Sequence, residues 1–421
     1  MPKLRVVFVM PLYAVDFLIL YLLITSLSNR SLRYKGYAQL IVKIVSAYLF
    51  FVILGELRGG VVYWHLLDAL YMLFRFMMAF ALFYLVPKWI VSPRELIVVI
   101  KALCAGLLLS AIISVLFSLP FTRNLVVNSV FAIKALNPID MTWTLENSAT
   151  IRGNTLIGTS TFSSGVMAIL WPLLFMGGVL FKGNFFWKKV NLGAIFVVPI
   201  GILATYGRSA WASVILVVAS ILVWGGKSGK SVVLLWLLII GLVVVKIGLE
   251  SNIFMVDRVV ESTKIAVENP LDRSNERERF MAYVEPFQHV LKYPSFLLMG
   301  SGAANRKFGG DDFGEESAAS HAVSGMAYMA YGVGGAVCQI LLMIFSFKLV
   351  FLRFRKAKRY APATVWMWQA LLAAWFGLLP WWLFGHGIVT QPRGAMVFFM
   401  FLGIIMACER MWQKVLSNNR F

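Results

Sequence analysis

Chemistry has few places to reside in this chain. Of 421 residues, 60% are hydrophobic and only 14% charged, so an ionisable group beside apolar sequence stands out. His321 opens the stretch His-Ala-Val-Ser-Gly-Met-Ala-Tyr-Met-Ala-Tyr-Gly-Val-Gly-Gly, where a hydrophobic segment follows the longest polar one, residues 250–320. An imidazole titrates near neutral pH and can serve as a general base. The plainer alternative is a hydrogen-bonded histidine at an interface. Arg208 lies in Ala-Thr-Tyr-Gly-Arg-Ser-Ala-Trp-Ala, between two apolar runs with almost no loop. It is either a snorkelling arginine beside Trp211 or one arm of a diphosphate clamp, because the guanidinium fork matches phosphate oxygens. Arg152 begins the unusually polar Arg-Gly-Asn-Thr-Leu-Ile-Gly-Thr-Ser-Thr-Phe-Ser-Ser-Gly. There Asn154 or Thr155 could cap a helix, and Thr159, Ser160 and Ser163 could line a cavity or a helix interface. Arg277 and Arg279 sit in Ser-Asn-Glu-Arg-Glu-Arg-Phe, a pattern that ordinarily makes a solvated face with local ion pairs.

Other chemistries find no support. The sequence has no Walker loop, no dinucleotide fingerprint after a strand, no His-Glu-x-x-His and no Cys-x-x-Cys. Cys104, Cys338 and Cys408 all fall inside apolar runs, without disulfide or metal-site spacing. Asp311, Asp312, Glu315 and Glu316 are the one place where a divalent ion could be argued. We expect no catalytic metal and no cofactor. Asp68 and Arg75, seven residues apart on one helical face, read as a structural pair inside a span.

The elements that must position these residues are membrane spans. Mean hydropathy is +0.79, and apolar runs of the length that crosses ~30 Å of hydrocarbon recur along the chain. They are continuous rather than alternating, which argues against a β-barrel and predicts an all-α, polytopic integral membrane protein. The runs fall at about 6–28, 37–55, 61–86, 96–119, 156–181, 190–206, 209–225, 231–249, 321–350, 364–384 and 394–410. The first, broken by Pro11 and Asp16, reads as a retained segment, either one span or a short hairpin, and the expected total is about 12. Three regions follow: 1–249, N-terminal spans with a polar insert at 120–155; 250–320, a long helical external loop; and 321–421, C-terminal spans.

The net charge of +20 does not mark a nucleic-acid binder, because Lys and Arg cluster in short segments between the runs. Those segments are Asn29–Gly36, Pro87–Glu95, Lys182–Lys189, Gly225–Lys230 and Leu352–Tyr360. All five fall on one side, with the C-terminal basic residues, and the positive-inside rule makes that side cytoplasmic. The opposite face then receives 120–155, the Gly207–Arg208 break, 250–320 and the short loop from His386 to Arg393. The long loop holds 12 of the 19 acidic residues. His65, His289, His321 and His386 all map to this face, so histidine alone does not choose among them.

The spacing of His321 to Gly332-Val333-Gly334-Gly335 resembles the signature of the O-antigen ligases and related bacterial O-oligosaccharyltransferases. Ala322 stands where that family usually carries a polar residue. Arg152 to Gly165 is similar to the family's Arg-x-x-Gly segment, and Thr205-Tyr-Gly-Arg208-Ser-Ala-Trp211 to its Ser-Arg-Gly-x-Trp segment. Arg279-Phe-Met-Ala-Tyr283, running through Pro294 to Gly300-Ser-Gly302, is similar to Arg-x-x-x-Trp…Pro-Leu-x-Gly-x-Gly, with Tyr283 in place of the tryptophan. The resemblance covers about residues 150 to 345.

The resemblance implies a GT-C-like glycosyltransferase of the bacterial inner membrane, with its active site facing the periplasm. It would ligate an O-antigen glycan from undecaprenyl diphosphate onto lipid A–core oligosaccharide. In that scheme His321 is the base, and Arg208 and Arg279 (or Arg277), with Arg152, hold the diphosphate. Its partners are these two lipid substrates and the membrane lipids. One alternative is an O-antigen or capsule polymerase, which extends a lipid-linked acceptor. Another, of a different class, is a polysaccharide flippase or transporter, which would distribute charges through the spans.

Overall fold

The computed structural model describes residues 34–62, 66–118, 160–205, 208–225, 296–302, 323–384 and 392–418, with isolated positions at 19, 21–25, 230, 231 and 234. Among the described residues the chain is helical, and no strand occurs. The helices are α1 (Tyr37–Val62), α2 (Leu66–Trp89), α3 (Pro93–Ser118) and α4 (Ser160–Leu170). A 3-10 turn, Trp171–Met176, continues α4 into the short α5 (Gly177–Leu180). Then come α6 (Phe185–Ala204), α7 (Arg208–Trp224), the four-residue α8 (Phe296–Met299), α9 (Val323–Tyr360), α10 (Val365–Phe384) and α11 (Pro392–Asn418).

Eight helices among the described residues are long and apolar enough to cross a membrane, and Ser209–Trp224 is a shorter ninth. The chain is therefore a multi-pass membrane protein. The expected runs at 6–28 and 231–249 fall outside the described residues, apart from scattered positions. So do the insert 120–155, nearly all of 250–320, and the loop from His386 to Arg393 except its last two residues.

Several boundaries differ from expectation: the last run continues to Asn418 and the run expected from 190 begins at Phe185, and three further differences have a local reason. The run expected to stop at residue 55 continues as helix to Val62, carrying Glu56 and Arg58 inside it. The basic segment Leu352–Tyr360 is the last part of α9 rather than a loop. Lys and Arg are good helix formers, they suit the negative end of the helix dipole, and no breaker intervenes before Pro362. The basic connector expected at Pro87–Glu95 shrinks to three residues between α2 and α3, with Pro87 held inside α2.

Neighbouring helices keep consistent directions. Tyr331 and Gln339 of α9 meet Glu56 and Tyr48 of α1 in reverse order, so this pair is antiparallel. Phe399 of α11 lies on Phe80 of α2, 4.3 Å between ring centroids, and Arg410 reaches the Pro87 carbonyl, so that pair runs parallel. Cys104 and Asn191, and further along Ala111 and Gly201, join α3 to α6 in parallel. The described basic segments therefore gather at one end of the bundle, as the sequence anticipated.

With lipid outside, burial of apolar surface alone cannot hold spans together, and small residues and paired polar groups take over. Gly201 closes onto Ala111, and Ser114 Oγ donates to the Gly201 carbonyl at 3.0 Å. Trp171 Nε1 donates to the Ile195 carbonyl at 3.0 Å. On α4, Ser163 and Ser164 are buried and Gly165 lies against the Trp381 indole of α10, so these described residues form a helix interface. Asp68 is half-buried near the start of α2, with Arg75 buried two turns on.

Candidate functional site

Several described elements converge closely at the end of the bundle opposite the basic segments. There α8 and the following residues Gly300, Ser301 and Gly302 form a strap that crosses both α9 and α1. Gly300 and Gly302 have φ of 66° and 78°, left-handed values that favour glycine, and they turn the chain sharply after α8. The Gly302 amide donates to the Ala330 carbonyl at 2.9 Å. That carbonyl is free for the bond because α9 is broken two residues later: Gly332 takes φ 69° and ψ −172°, outside the helical region. A Cβ on Gly332 would overlap the Leu298 carbonyl, and one on Gly300 would overlap the backbone of Ala330. Strap and kink are thus fitted backbone to backbone.

The third wall is α1. A Cβ at Gly55 would strike the Ala330 carbonyl, and one at Gly59 the Ser301 carbonyl. Gly55 and Gly59 are one helical turn apart and face the same way. Between them Glu56 is fully buried, and the Tyr331 hydroxyl donates to its Oε1 at 3.3 Å. Arg58 Nη1 donates to the Gly300 carbonyl at 2.6 Å.

Below this crossing a polar column descends between α1 and α9. Tyr331 meets Tyr48 edge to face at 5.8 Å, and Gln339 Nε2 donates to the Tyr48 hydroxyl at 2.8 Å. Phe76 of α2 closes the side of Tyr331 at 6.0 Å, next in sequence to the buried Arg75. Ionisable groups at such depth are costly and mark functional or structural nodes.

Of the residues singled out for chemistry, His321, Arg152, Arg277 and Arg279 lie outside the described residues, as do Asp311, Asp312, Glu315 and Glu316. Arg208 is described in its backbone and begins α7, directly after the break that ends α6 at Ala204. Thr205 closes α6 with its hydroxyl on the Ile202 carbonyl, 2.6 Å away. Two glycine elements expected near the site, Gly300–Gly302 and Gly332–Gly335, are brought together. Gly332 and Gly334 serve close packing, Gly334 against the Phe51 ring. Among the described residues, no group of three or more His, Cys, Asp or Glu is placed to hold a metal.

Glu56 and Arg58 were not anticipated. Their signal was legible: two charges within Gly-Glu-Leu-Arg-Gly-Gly, framed by glycines at helical spacing, inside an otherwise apolar stretch. The expected runs at 37–55 and 61–86 leave Glu56 and Arg58 between spans. No protein-family model and no curated protein matches this chain.

Proposed function

We propose that this chain is a lipid-linked-donor glycosyltransferase of the O-antigen ligase type, working at the periplasmic face of the bacterial inner membrane. The observation that supports it is the joining of Gly300–Gly302 to the Ala330–Gly332 kink. Two stretches that carry the resemblance meet in space, at the end of the bundle away from the basic segments. Arg208 begins α7 at that same end, and α9 begins two residues after His321.

In the proposed reaction an acceptor hydroxyl oxygen on lipid A–core attacks the anomeric carbon of the donor sugar. His321 takes the hydroxyl proton. The bond from the anomeric carbon to the diphosphate oxygen breaks, and its electron pair leaves with undecaprenyl diphosphate. A single displacement inverts the anomeric configuration. Arg208 and Arg279, or Arg277, with Arg152, meet the charge that develops on the leaving group. The arginines supply the positive charge, and the scheme contains no metal-dependent step.

The test is transfer by purified protein from undecaprenyl-diphosphate glycan to lipid A–core, with EDTA present. His321→Ala is expected to lower the rate by ~100-fold or more, the upper part of the range for a lost general base, while His289→Ala keeps it. Full transfer by His321→Ala would remove the assigned base. A product ladder that stays lipid-linked would instead indicate a polymerase. Glycan movement across the bilayer without a new covalent product would indicate a transporter.

A further inference from the structure

At the basic end two cations lie over a tryptophan of another helix, and they differ in what neutralises them. Arg353 of α9, 6.0 Å from the Trp412 ring centroid, has the buried carboxylate of Glu409. Lys101 of α3 places Nζ 5.3 Å from the Trp187 ring centroid of α6, and no carboxylate among the described residues pairs with it. Lys101 is half-buried. A cation held inside a span without a counter-charge is costly.

The level of Lys101 follows from α6. That helix has 20 residues, a length of ~30 Å that matches the hydrocarbon thickness. Its start, with Lys101 beside it, therefore sits at the boundary between hydrocarbon and headgroups. The parallel α3 begins further out. Cys104 is eleven residues past Pro93, whereas its partner Asn191 is only six past Phe185. Thus α3 overhangs α6 by about 8 Å, and the overhang leaves a notch. Its wall is the first turns of α3 and its floor the start of α6. Arg94, exposed, lies seven residues before Lys101 on the same face of α3. Lys188, also exposed, follows Trp187 on the floor. Glu95, the acidic residue beside Arg94, accepts a bond from Ser92 Oγ. In the first turn of α6, Phe185 and Phe186 are 72% and 66% exposed.

We propose that this notch binds the phosphate of an anionic phospholipid, held by Lys101, Lys188 and Arg94, with the acyl chains along Phe185 and Phe186. The positive end of the α6 dipole favours the same charge. A free ion would meet the cations but leave both exposed rings unmatched, so the phenylalanines favour a lipid. The site lies at the opposite end of the bundle from the proposed transfer reaction and does not depend on it.

The experiment uses the full-length protein in detergent and reads quenching of Trp187 by phospholipids brominated in the acyl chains. Subtracting the signal of Trp187→Phe isolates that residue from the other tryptophans. Brominated phosphatidylglycerol is expected to quench it at about one tenth, or less, of the mole fraction needed with brominated phosphatidylcholine. Lys101→Gln should weaken the phosphatidylglycerol effect about fivefold, the scale for one cation at a membrane surface, and Lys101→Arg should keep it. Lys188→Gln, at an exposed position, gives the same reading should Lys101→Gln fail to fold. Arg355→Gln, which removes an exposed cation from the end of α9, should leave the preference unchanged. Equal quenching by the two lipids would overturn the proposal, as would an undiminished preference in folded Lys101→Gln and Lys188→Gln proteins. Release of the lipid by inorganic phosphate would assign the notch to a free ion and overturn the lipid reading.

Discussion

The two ends of the bundle are closed in opposite ways. At the basic end, long side chains span the gaps between helices. Arg353 of α9 forms a two-pronged pair with the fully buried Glu409 of α11, with Nε to Oε2 at 2.6 Å and Nη2 on Oε1. Gln413 Nε2 adds a bond to Glu409 Oε1 at 2.8 Å, and Arg353 lies 6.0 Å from the Trp412 ring centroid. Arg410 and Lys414 of α11 reach back to the Pro87 and Val91 carbonyls. Nearby, burial raises the Tyr34 phenol well above its usual pKa, with the Arg410 charge opposing the rise. At the other end backbone meets backbone across glycines, and the charged residues Glu56 and Arg58 act inside that contact. Side-chain bridges can bend and reform, whereas backbone contact leaves no slack. The basic end should therefore fail by degrees and the glycine end abruptly.

Four substitutions test this contrast, all read as thermal midpoints of detergent-solubilised protein. Gly332→Val should be the most damaging, at roughly 4 kcal/mol or more, because it combines a backbone conformation that only glycine holds easily with overlap of the Leu298 carbonyl. A near wild-type midpoint would show that the kink is not a fixed part of the fold. Glu409→Ala comes next, at about 3 kcal/mol, since it strands a guanidinium that is only 19% exposed. If it proved worse than Gly332→Val, the ranking of the two ends would be reversed. Tyr331→Phe should cost about 1 kcal/mol, the usual net value of one hydrogen bond. A loss several times larger would show that the Tyr331 hydroxyl matters to the buried Glu56 more than an ordinary hydrogen bond does. Lys414→Ala should stay within ~0.5 kcal/mol, because its side chain is exposed and its bond to Val91 is long at 3.4 Å. A large drop there would mean that the basic end also works as a rigid joint.

The spans were legible because a bilayer imposes one simple demand, some twenty apolar residues per crossing. The alternation of basic connectors was legible for a similar reason, and the helix directions agree with it. Boundaries were less so. Glu56 and Arg58 read as a loop because their partners, Tyr331 and Gly300, lie over 240 residues away. The candidate site was legible in part. The glycines at 300, 302 and 332 stand out in the sequence by their spacing, but that spacing carries no information about their contact with one another. Gly165 ends a polar motif in the sequence, and its indole neighbour Trp381 comes from a distant helix.

What the sequence determined by itself is therefore the helical, multi-pass character of the chain, the gathering of its basic segments at one end, and a short set of residues able to do chemistry. These follow from the solvent each residue must meet, which is a local property. What the tertiary structure decided is which glycines face each other, that α1 grips the strap between them, and that a buried carboxylate and a guanidinium do the gripping. Those depend on pairs of positions far apart in the chain, and only close approach of the backbones selects them.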